Sequence, residues 1–396
     1  MASYASYSDR RRKKWKKSSR SVSSSGRDST TTKREGHARA IRAISTKLVA
    51  NNPNPDFTNF RFISVITQEP TGQSFVLRGK HKGSTSTDSA IKMFLTMKDF
   101  ETEIAMLRGR DAIPRHRNII QELEFYDSGN VKAIAYPFMT PLQGIVENEA
   151  LANRPDKMTR YASGVAEGLA HLHAHGWAHL DIKIDNVMIS SSDEATLIDF
   201  GMASRSTPGS DKIEGKGTLL YMAPEVLKVY LGRAISGGRG DRKKVDVFAY
   251  GCLLWAMLSG KIPWEDEMES FGDDMEAFQS HVQELVLRGD SLPITDSSWP
   301  HEHVAAMQRC LVSDYKERPN IRDVYPEGRG GGVRITATKA SHKPKGENKA
   351  KKFTSNEMLK EAAKEWVQNK EKAKEKYGPI EDWDVSEVTS FYELFE

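Results

Sequence analysis

Between residues 177 and 189 the chain reads WAHLDIKIDNVMI. Asp181, Lys183 and Asn186 fall in a short polar turn between two apolar stretches, with His179 just ahead of them. A carboxylate, an ammonium and an amide oxygen so spaced can share one small volume. They can accept a proton from a hydroxyl, offset negative charge as it develops, and give oxygen to a hard cation. A solvated loop would be polar too, so neighbouring stretches must decide. LIDFGMAS adds a second carboxylate, Asp199, followed by Phe200 and Gly201. SAIKMF supplies Lys92, and a helix-patterned stretch beyond it supplies Glu103 and, next to it, Glu101. The two aspartates, a glutamate, two ammonium groups and an amide form a donor set suited to phosphoryl transfer, which needs positioning and charge neutralisation more than covalent chemistry.

Those groups need elements to hold them. FRFISVI and SFVLRGKH, rich in β-branched and aromatic residues in rough alternation, read as strands, and DSAIKMFL as a third that carries Lys92. MKDFETEIAMLRGR has helical spacing, with Phe100, Ile104 and Leu107 on one face. KMTRYASGVAEGLAHLHAHG reads as a longer helix closed by Gly176. The run from Val247 to Leu258 is too short to span a bilayer and reads as a buried helix, so no membrane span is expected. Strands first and helices after suit an α+β arrangement.

Taken in order, SAIKMF, the helix with Glu103, HLDIKIDN, DFG and GTLLYMAPEV resemble the eukaryotic protein kinase family over residues 57–325. The resemblance implies a two-lobed fold: a small antiparallel-sheet lobe with one helix, and a larger helical lobe. It implies ATP and Mg²⁺ as cofactors, with Lys92, Glu103, Val76 and Ala90 on the nucleotide side. Lys92 reaches the α- and β-phosphates and pairs with Glu103. Asp199 and Asn186 hold Mg²⁺, Asp181 orients the acceptor hydroxyl and accepts its proton, and Lys183 lies near the γ-phosphate. Glu225 and Arg318 form a bracing ion pair, and Asp246 accepts backbone N–H groups of the catalytic turn. Lys183 and GTLLYMAPE are similar to the serine/threonine branch, so the implied substrate is a protein Ser or Thr. The runner-up is a pseudokinase scaffold that binds nucleotide or a partner without catalysis.

Three departures from the family pattern stand out. EPTGQSFVLRG puts Glu69, Thr71 and Ser74 at the glycine positions if Val76 is the following Val, and glycine lets backbone come closest to phosphate. Leu180 replaces the Arg of the usual His-Arg-Asp, which removes the usual clamp for an activation-loop phosphate. AIAYPFMTPLQG matches the hinge poorly.

The chain has 396 residues and a net charge of +4. The first fifty residues hold 14 Lys and Arg against 3 Asp and Glu, so the remainder is net acidic. Residues 1–56, basic and Ser/Thr-rich, read as a disordered arm. RRRKKWKK at 10–17 could contact a polyanion or mark nuclear entry. ISGGRGDRKK at 235–244 reads as a basic inserted loop. His171, His173, His175 and His179 fit no zinc spacing. Cys252 and Cys310 are the two cysteines. With no secretory signal read at the N-terminus, they favour a reducing, intracellular setting, cytoplasmic or nuclear. Residues 326–353 read as a flexible linker. In 354–396, Thr354 and Glu357 form a capping box, and Leu359, Ala363, Trp366, Ala373 and Tyr377 share a helical face. IEDWDVSEVTSFYELF after it resembles the opening of one BspA-like leucine-rich surface repeat. Nothing in the sequence fixes an oligomeric state.

Overall fold

The computed structural model describes residues 21–23, 60–66, 74–81, 88–94, 97–109, 112–128, 131–207, 211–234, 239–272 and 274–325, and, further on, residues 361, 362, 365, 372, 376 and 377. The chain divides into two units, Met1–Ala337 and Thr338–Glu396.

In the first unit, strands β2 (Phe60–Val65), β3 (Ser74–His81), β4 (Asp88–Phe94), β5 (Glu124–Ser128) and β6 (Val131–Pro137) form an antiparallel sheet among the described residues, in the order β2-β3-β4-β6-β5. Burial alternates along β4: Ser89, Ile91 and Met93 are buried, while Ala90 and Lys92 lie on the more open face. The register puts Val76 opposite Lys92, Ile134 opposite Lys92, and Tyr136 opposite Ala90. Cross-strand partners share a face of the pleat. Helix α1 (Met97–Arg108) packs on this sheet, Phe100 meeting Phe94 edge to face at 5.4 Å. The expected face of α1, Phe100, Ile104 and Leu107, packs on the core, and the buried side is centred beside it. Phe100, Glu103 and Met106 are buried, while Ile104 and Leu107 are only partly so, because the helix turns its carboxylate inward to meet Lys92.

The larger lobe is built around α3 (Pro155–Ala174), which follows the shorter α2 (Leu142–Asn148), and α5 (Arg242–Ser259), which follows α4 (Pro224–Tyr230). Every residue of α5 from Val245 to Leu258 is buried, as befits a helix apolar on all sides. Asp241 caps its start by accepting from the Lys243 N–H, and Gly260, at φ +72°, ends it in the left-handed conformation. Helices α7 (Met275–Arg288) and α8 (His301–Cys310) follow the short α6 (Glu265–Met268). Helix α8 lies so close to α5 that a Cβ on Gly251 would come within 2.8 Å of Cys310 Cβ. At the near end of α3, Gly176 takes φ +75° and turns the chain into the polar stretch that carries Asp181.

Small strands frame that stretch. Among the described residues β9 (Val187–Ile189) pairs with β10 (Ala195–Leu197) and with β7 (Thr140–Pro141), and β8 (Trp177–Ala178) pairs with β11 (Ser204–Arg205). Strand β12 (Asp211–Lys212) pairs with β14 (Arg239–Gly240), so the described end of the basic 235–244 stretch is tied to the segment after Gly201. Strand β1 (Ser21–Ser23) pairs with β13 (Lys216–Thr218). Composition gave no hint of this strand. Pairing on an exposed edge uses main-chain hydrogen bonds and needs no apolar core, so a chain too polar to fold alone can still add a strand.

The rest of the arm, the 10–17 run, residues 67–73 of the degraded glycine-rich turn, the linker and the repeat-like end lie outside the described residues. In the second unit, the described residues are helical, with Ala362 and Tyr377 buried. Glu365 pairs with Lys376 Nζ at 2.9 Å and Lys372 Nζ at 3.4 Å. Among the described residues no helix is long and apolar enough to cross a membrane.

Candidate active site

Lys92 Nζ lies 2.5 Å from Glu103 Oε2 and 2.8 Å from Asp199 Oδ1. Strand β4 fixes the lysine, α1 fixes Glu103, and the turn after β10 fixes Asp199. Glu101, the neighbouring candidate, is exposed. Burial alone would lower the Lys92 ammonium, but Asp199 and Glu103 outweigh it and hold it above its ordinary value. Burial raises the Glu103 carboxyl, with Lys92 and Tyr136 opposing. Lys92 beside it pulls Asp199 far below the usual carboxylate range. Asp199 is therefore an anion whose side chain stays 46% exposed towards the cleft. Its backbone takes φ +63°, a conformation that costs a non-glycine residue about 1 kcal/mol or more.

Asp181 is held from three sides. Thr218 Oγ1 donates to its Oδ1 at 2.8 Å, Asn186 Nδ2 to its Oδ2 at 3.0 Å, and Lys183 Nζ lies 3.1 Å from Oδ2. Lys183 also donates to Thr218 Oγ1 at 3.1 Å. Burial would lower Lys183, but Asp181 and Asp185 raise it above its ordinary value. Beneath the turn, the fully buried Asp246 on α5 accepts the His179 N–H at 2.8 Å and the Leu180 N–H at 2.7 Å. His173 Nε2 donates to the same carboxylate at 2.8 Å. Those bonds hold Leu180 at φ +64°. His179 donates through Nε2 to the Ile198 carbonyl at 3.0 Å and lies against Phe200, joining the turn to the DFG stretch.

The four histidines thus serve separate partners, since His171 meets the Pro114 carbonyl and His175 the His171 carbonyl. Glu225 and Arg318 form a bidentate pair at 2.7 and 2.8 Å, and Arg318 also donates to the Val312, Lys244 and Ser313 carbonyls.

Lys92, Glu103 and Asp199 therefore form one linked cluster and Asp181, Lys183 and Asn186 a second, near enough that Lys183 helps to draw the Asp199 carboxyl down, with Val76 and Ala90 on the sheet face that carries Lys92. Four residues in the site escaped the sequence reading. Thr218 was visible inside GTLLYMAPEV. Tyr136, whose hydroxyl donates to Glu103 Oε1 at 2.5 Å, lay in the poorly matching AIAYPFMTPLQG. Asp211 and Arg242 carry no local signal. Asp211 Oδ2 accepts from Ser206 Oγ at 2.6 Å and from the Arg242 N–H at 2.9 Å, and its Oδ1 from the Thr207 N–H at 2.6 Å. The Arg242 guanidinium donates to the Arg205 carbonyl at 2.6 Å and the Lys212 carbonyl at 3.0 Å.

The donor set fits a magnesium nucleotide. No group of three or more His, Cys, Asp and Glu among the described residues could hold a metal alone. Magnesium characteristically takes one or two protein oxygens and completes its shell with phosphates and water. Asp199 and Asn186 supply that number of oxygen-bearing side chains, and Lys92 supplies positive charge beside them.

A five-stranded sheet with one ion-paired helix, set on a helical lobe that carries the carboxylates, defines the two-lobed protein kinase fold. Residues 68–327 match the protein kinase domain family, and the chain belongs to that family. Membership implies ATP and Mg²⁺ as the cofactors in general. Among curated relatives, the chain is 30% identical over 255 residues to mitogen-activated protein kinase kinase kinase 13-B of Xenopus laevis, covering 64% of this chain and 23% of that protein. It is 29% identical over 208 residues to serine/threonine-protein kinase mos of Patiria pectinifera, covering 50% and 56%. It is 32% identical over 226 residues to ovarian-specific serine/threonine-protein kinase Lok of Drosophila melanogaster, covering 55% and 41%. The chain thus spans little more than half of these relatives at most.

Proposed function

We propose that this protein transfers the γ-phosphoryl group of ATP to Ser or Thr hydroxyls of protein substrates. The observation that carries the reading is the assembled set of ion pairs: Lys92 bound to both Glu103 and Asp199, and Lys183, paired with Asp181, acting on the same Asp199. A scaffold that had lost catalysis would have no need to keep these charges buried and paired, since burial of an ion is costly.

In this reading Lys92, oriented by Glu103 and Tyr136, binds the α- and β-phosphates. Asp199 and Asn186 hold the magnesium ion, which neutralises phosphate charge when bound. Asp181 orients the acceptor hydroxyl and accepts its proton, and its own orientation comes from Thr218, Asn186 and Lys183. Lys183 stabilises charge on the transferring group. The names of the relatives, serine/threonine-protein kinases among them, support the acceptor class. The decisive experiment incubates the full chain with Mg²⁺, labelled ATP and a degenerate peptide library. Label on Ser or Thr is expected; label on Tyr alone, or none, rejects the reading.

Two further assignments accompany it. The basic run 10–17 contacts polyanions, so replacing its Lys and Arg by Gln should weaken heparin retention and flatten its salt dependence. The WDVS stretch at 383–386 belongs to a BspA-like repeat segment that serves as a protein-interaction cap, and the protein works inside the cell. Pull-down with residues 354–396 deleted tests the cap, and imaging of a tagged full chain tests the location.

A further inference from the structure

Three imidazole rings lie in a row where the loop after α1 meets the end of α3, and the proposed transfer uses none of them. The ring centroids of His116 and His171 are 4.6 Å apart, stacked at 25°, and those of His171 and His175 are 4.4 Å apart at 44°. Each ring is tied by one nitrogen. His171 donates through Nε2 to the Pro114 carbonyl at 2.8 Å, and His175 through Nδ1 to the His171 carbonyl at 2.8 Å. His116 does the opposite: its Nδ1 accepts the Asn118 N–H at 3.3 Å. A nitrogen that accepts carries no proton, so His116 makes this bond only while neutral.

The charges around the row oppose a proton. Arg117 and His175 act on His116, and His116, His175 and Arg322 act on His171. The Arg205 guanidinium reaches the same end of α3, at the His175 carbonyl. Neighbouring carboxylates are engaged by arginines: Glu167 lies 2.6 Å and Glu194 3.9 Å from Arg117, and Glu122 lies 3.5 Å from Arg115. Burial first, and these cations after it, lower both His116 and His171, the latter to about 4 against its bond to Pro114.

The loop held by the row is joined to both partners of Lys92. At one end the Ile113 N–H donates to the Met106 carbonyl at 3.0 Å, about one turn beyond Glu103 on α1. At the other, Asn118 Nδ2 donates to the Ala195 carbonyl at 2.7 Å and the Leu197 N–H to the Asn118 carbonyl at 2.9 Å, on the strand that ends just before Asp199. We propose that the three rings form a proton-sensitive clasp: neutral, they seat residues 112–118 on the end of α3; charged, they part, the loop loosens, and Glu103 and Asp199 no longer hold Lys92 ready for the nucleotide. This rests on the reading of Lys92, Glu103 and Asp199 as the nucleotide site.

The sign follows from the direction of the shifts. A ring freed from the clasp returns to about 6.5, so the clasp is fully held above pH 6.5 and weakens as pH falls from there, for His171 towards 4. For a ring that stays neutral while clasped, passing from pH 7.5 to 5.5 raises the open population up to about tenfold, and solvent at these half-buried rings removes part of that.

The test measures Mg·ATP binding to the full chain by titration calorimetry at pH 7.5 and 5.5, for wild type and for His116→Asn combined with His171→Gln. Each replacement keeps the bond of its ring, an acceptor for the Asn118 N–H and a donor for the Pro114 carbonyl, and neither takes a proton. Acid effects on His303 and on the nucleotide are common to both proteins. The expected result is equal affinity at pH 7.5 and, at pH 5.5, a wild-type Kd at least about fivefold above that of the variant. Hydrogen exchange on wild type, corrected for the intrinsic rate at each pH, needs no variant: protection of residues 112–120 should fall at pH 5.5 while that of α5 holds. Matching Kd values at pH 5.5, or loop protection that holds or falls only together with α5, would overturn the inference and leave the kinase reading standing. No binding at either pH would overturn the nucleotide site and the clasp with it.

Discussion

Tyr136 and Glu103 are joined by a hydrogen bond of 2.5 Å, so both oxygens of one buried carboxylate are in use: Oε1 by the phenol, Oε2 by Lys92. Burial pushes the Tyr136 hydroxyl well above its ordinary value, which makes it a committed donor. The sheet sets this up, since Tyr136 stands opposite Ala90, two residues from Lys92 on the same face.

Tyr136→Phe should leave Oε1 without its donor in a site that water hardly reaches, at a cost of about 1–3 kcal/mol. The Glu103 carboxyl would rise further and hold Lys92 less firmly. The expected kinetics are a several-fold rise in KM for ATP with the peptide KM unchanged. An unaltered ATP KM would show that Lys92 alone fixes Glu103.

Asp181 and Asp199 should separate cleanly by substitution. Asp181→Asn keeps a side chain able to bond Thr218, yet removes the proton acceptor, so turnover should fall by about 10² or more while Mg·ATP binding persists. Asp199→Asn should do the reverse to binding: thermal stabilisation by Mg·ATP should shrink sharply relative to wild type. Equal stabilisation in the two variants would contradict the roles assigned here.

The segment after Gly201 is fastened without phosphate. Asp211 gathers Ser206, Thr207 and Arg242, Arg242 grips two carbonyls, and Arg205 donates to the His175 carbonyl and lies over Trp177. Leu180 therefore has no phosphate clamp to replace. After phosphatase treatment, with Ser204, Ser206, Thr207 and Ser210 confirmed bare by mass spectrometry, kcat at saturating peptide should change less than twofold. Asp211→Asn should lower it at least tenfold, about 1.4 kcal/mol in barrier. A tenfold loss on dephosphorylation would refute the carboxylate anchor.

Stability should fall in mild acid. His303 is fully buried between Thr159, the Tyr325 hydroxyl and Glu302, and burial lowers its pKa to about 4. The unfolded chain binds that proton near pH 6.5. The contribution of this group is complete above pH 6.5 and is lost as pH drops from there towards 4. By pH 5 it amounts to at most about 2 kcal/mol. Urea midpoints at pH 7 and pH 5 measure the loss, and His303→Gln should flatten the difference. A slope unchanged in the variant would assign the acid sensitivity elsewhere.

What the sequence disclosed follows from where the information lies. Asp181, Asn186 and Asp199 were legible because a short turn and one β-hairpin, Val187–Ile189 with Ala195–Leu197, carry all three. Strand β4 was legible by alternation, and α1 by its period, whose face of Phe100, Ile104 and Leu107 packs on the core, while the burial of Glu103 beside it was not foreseen because the helix turns a charged residue inward. The contacts of Asp211 with Arg242, and of Thr218 with Asp181, join positions 31 and 37 residues apart. No local pattern encodes such meetings, which depend on how α5 and the catalytic turn pack. The strand at Ser21–Ser23 was hidden for the opposite reason: its pairing is main-chain chemistry that composition barely records.

The bidentate pair of Glu225 and Arg318 also has a consequence for the order of assembly. The two residues are 93 apart. At typical synthesis rates Arg318 emerges about 5–20 s after Glu225. For that interval the Glu225 carboxylate, in the first turn of α4, lacks its partner. The cation that fastens the start of α4 is therefore among the last parts of the catalytic lobe to be translated.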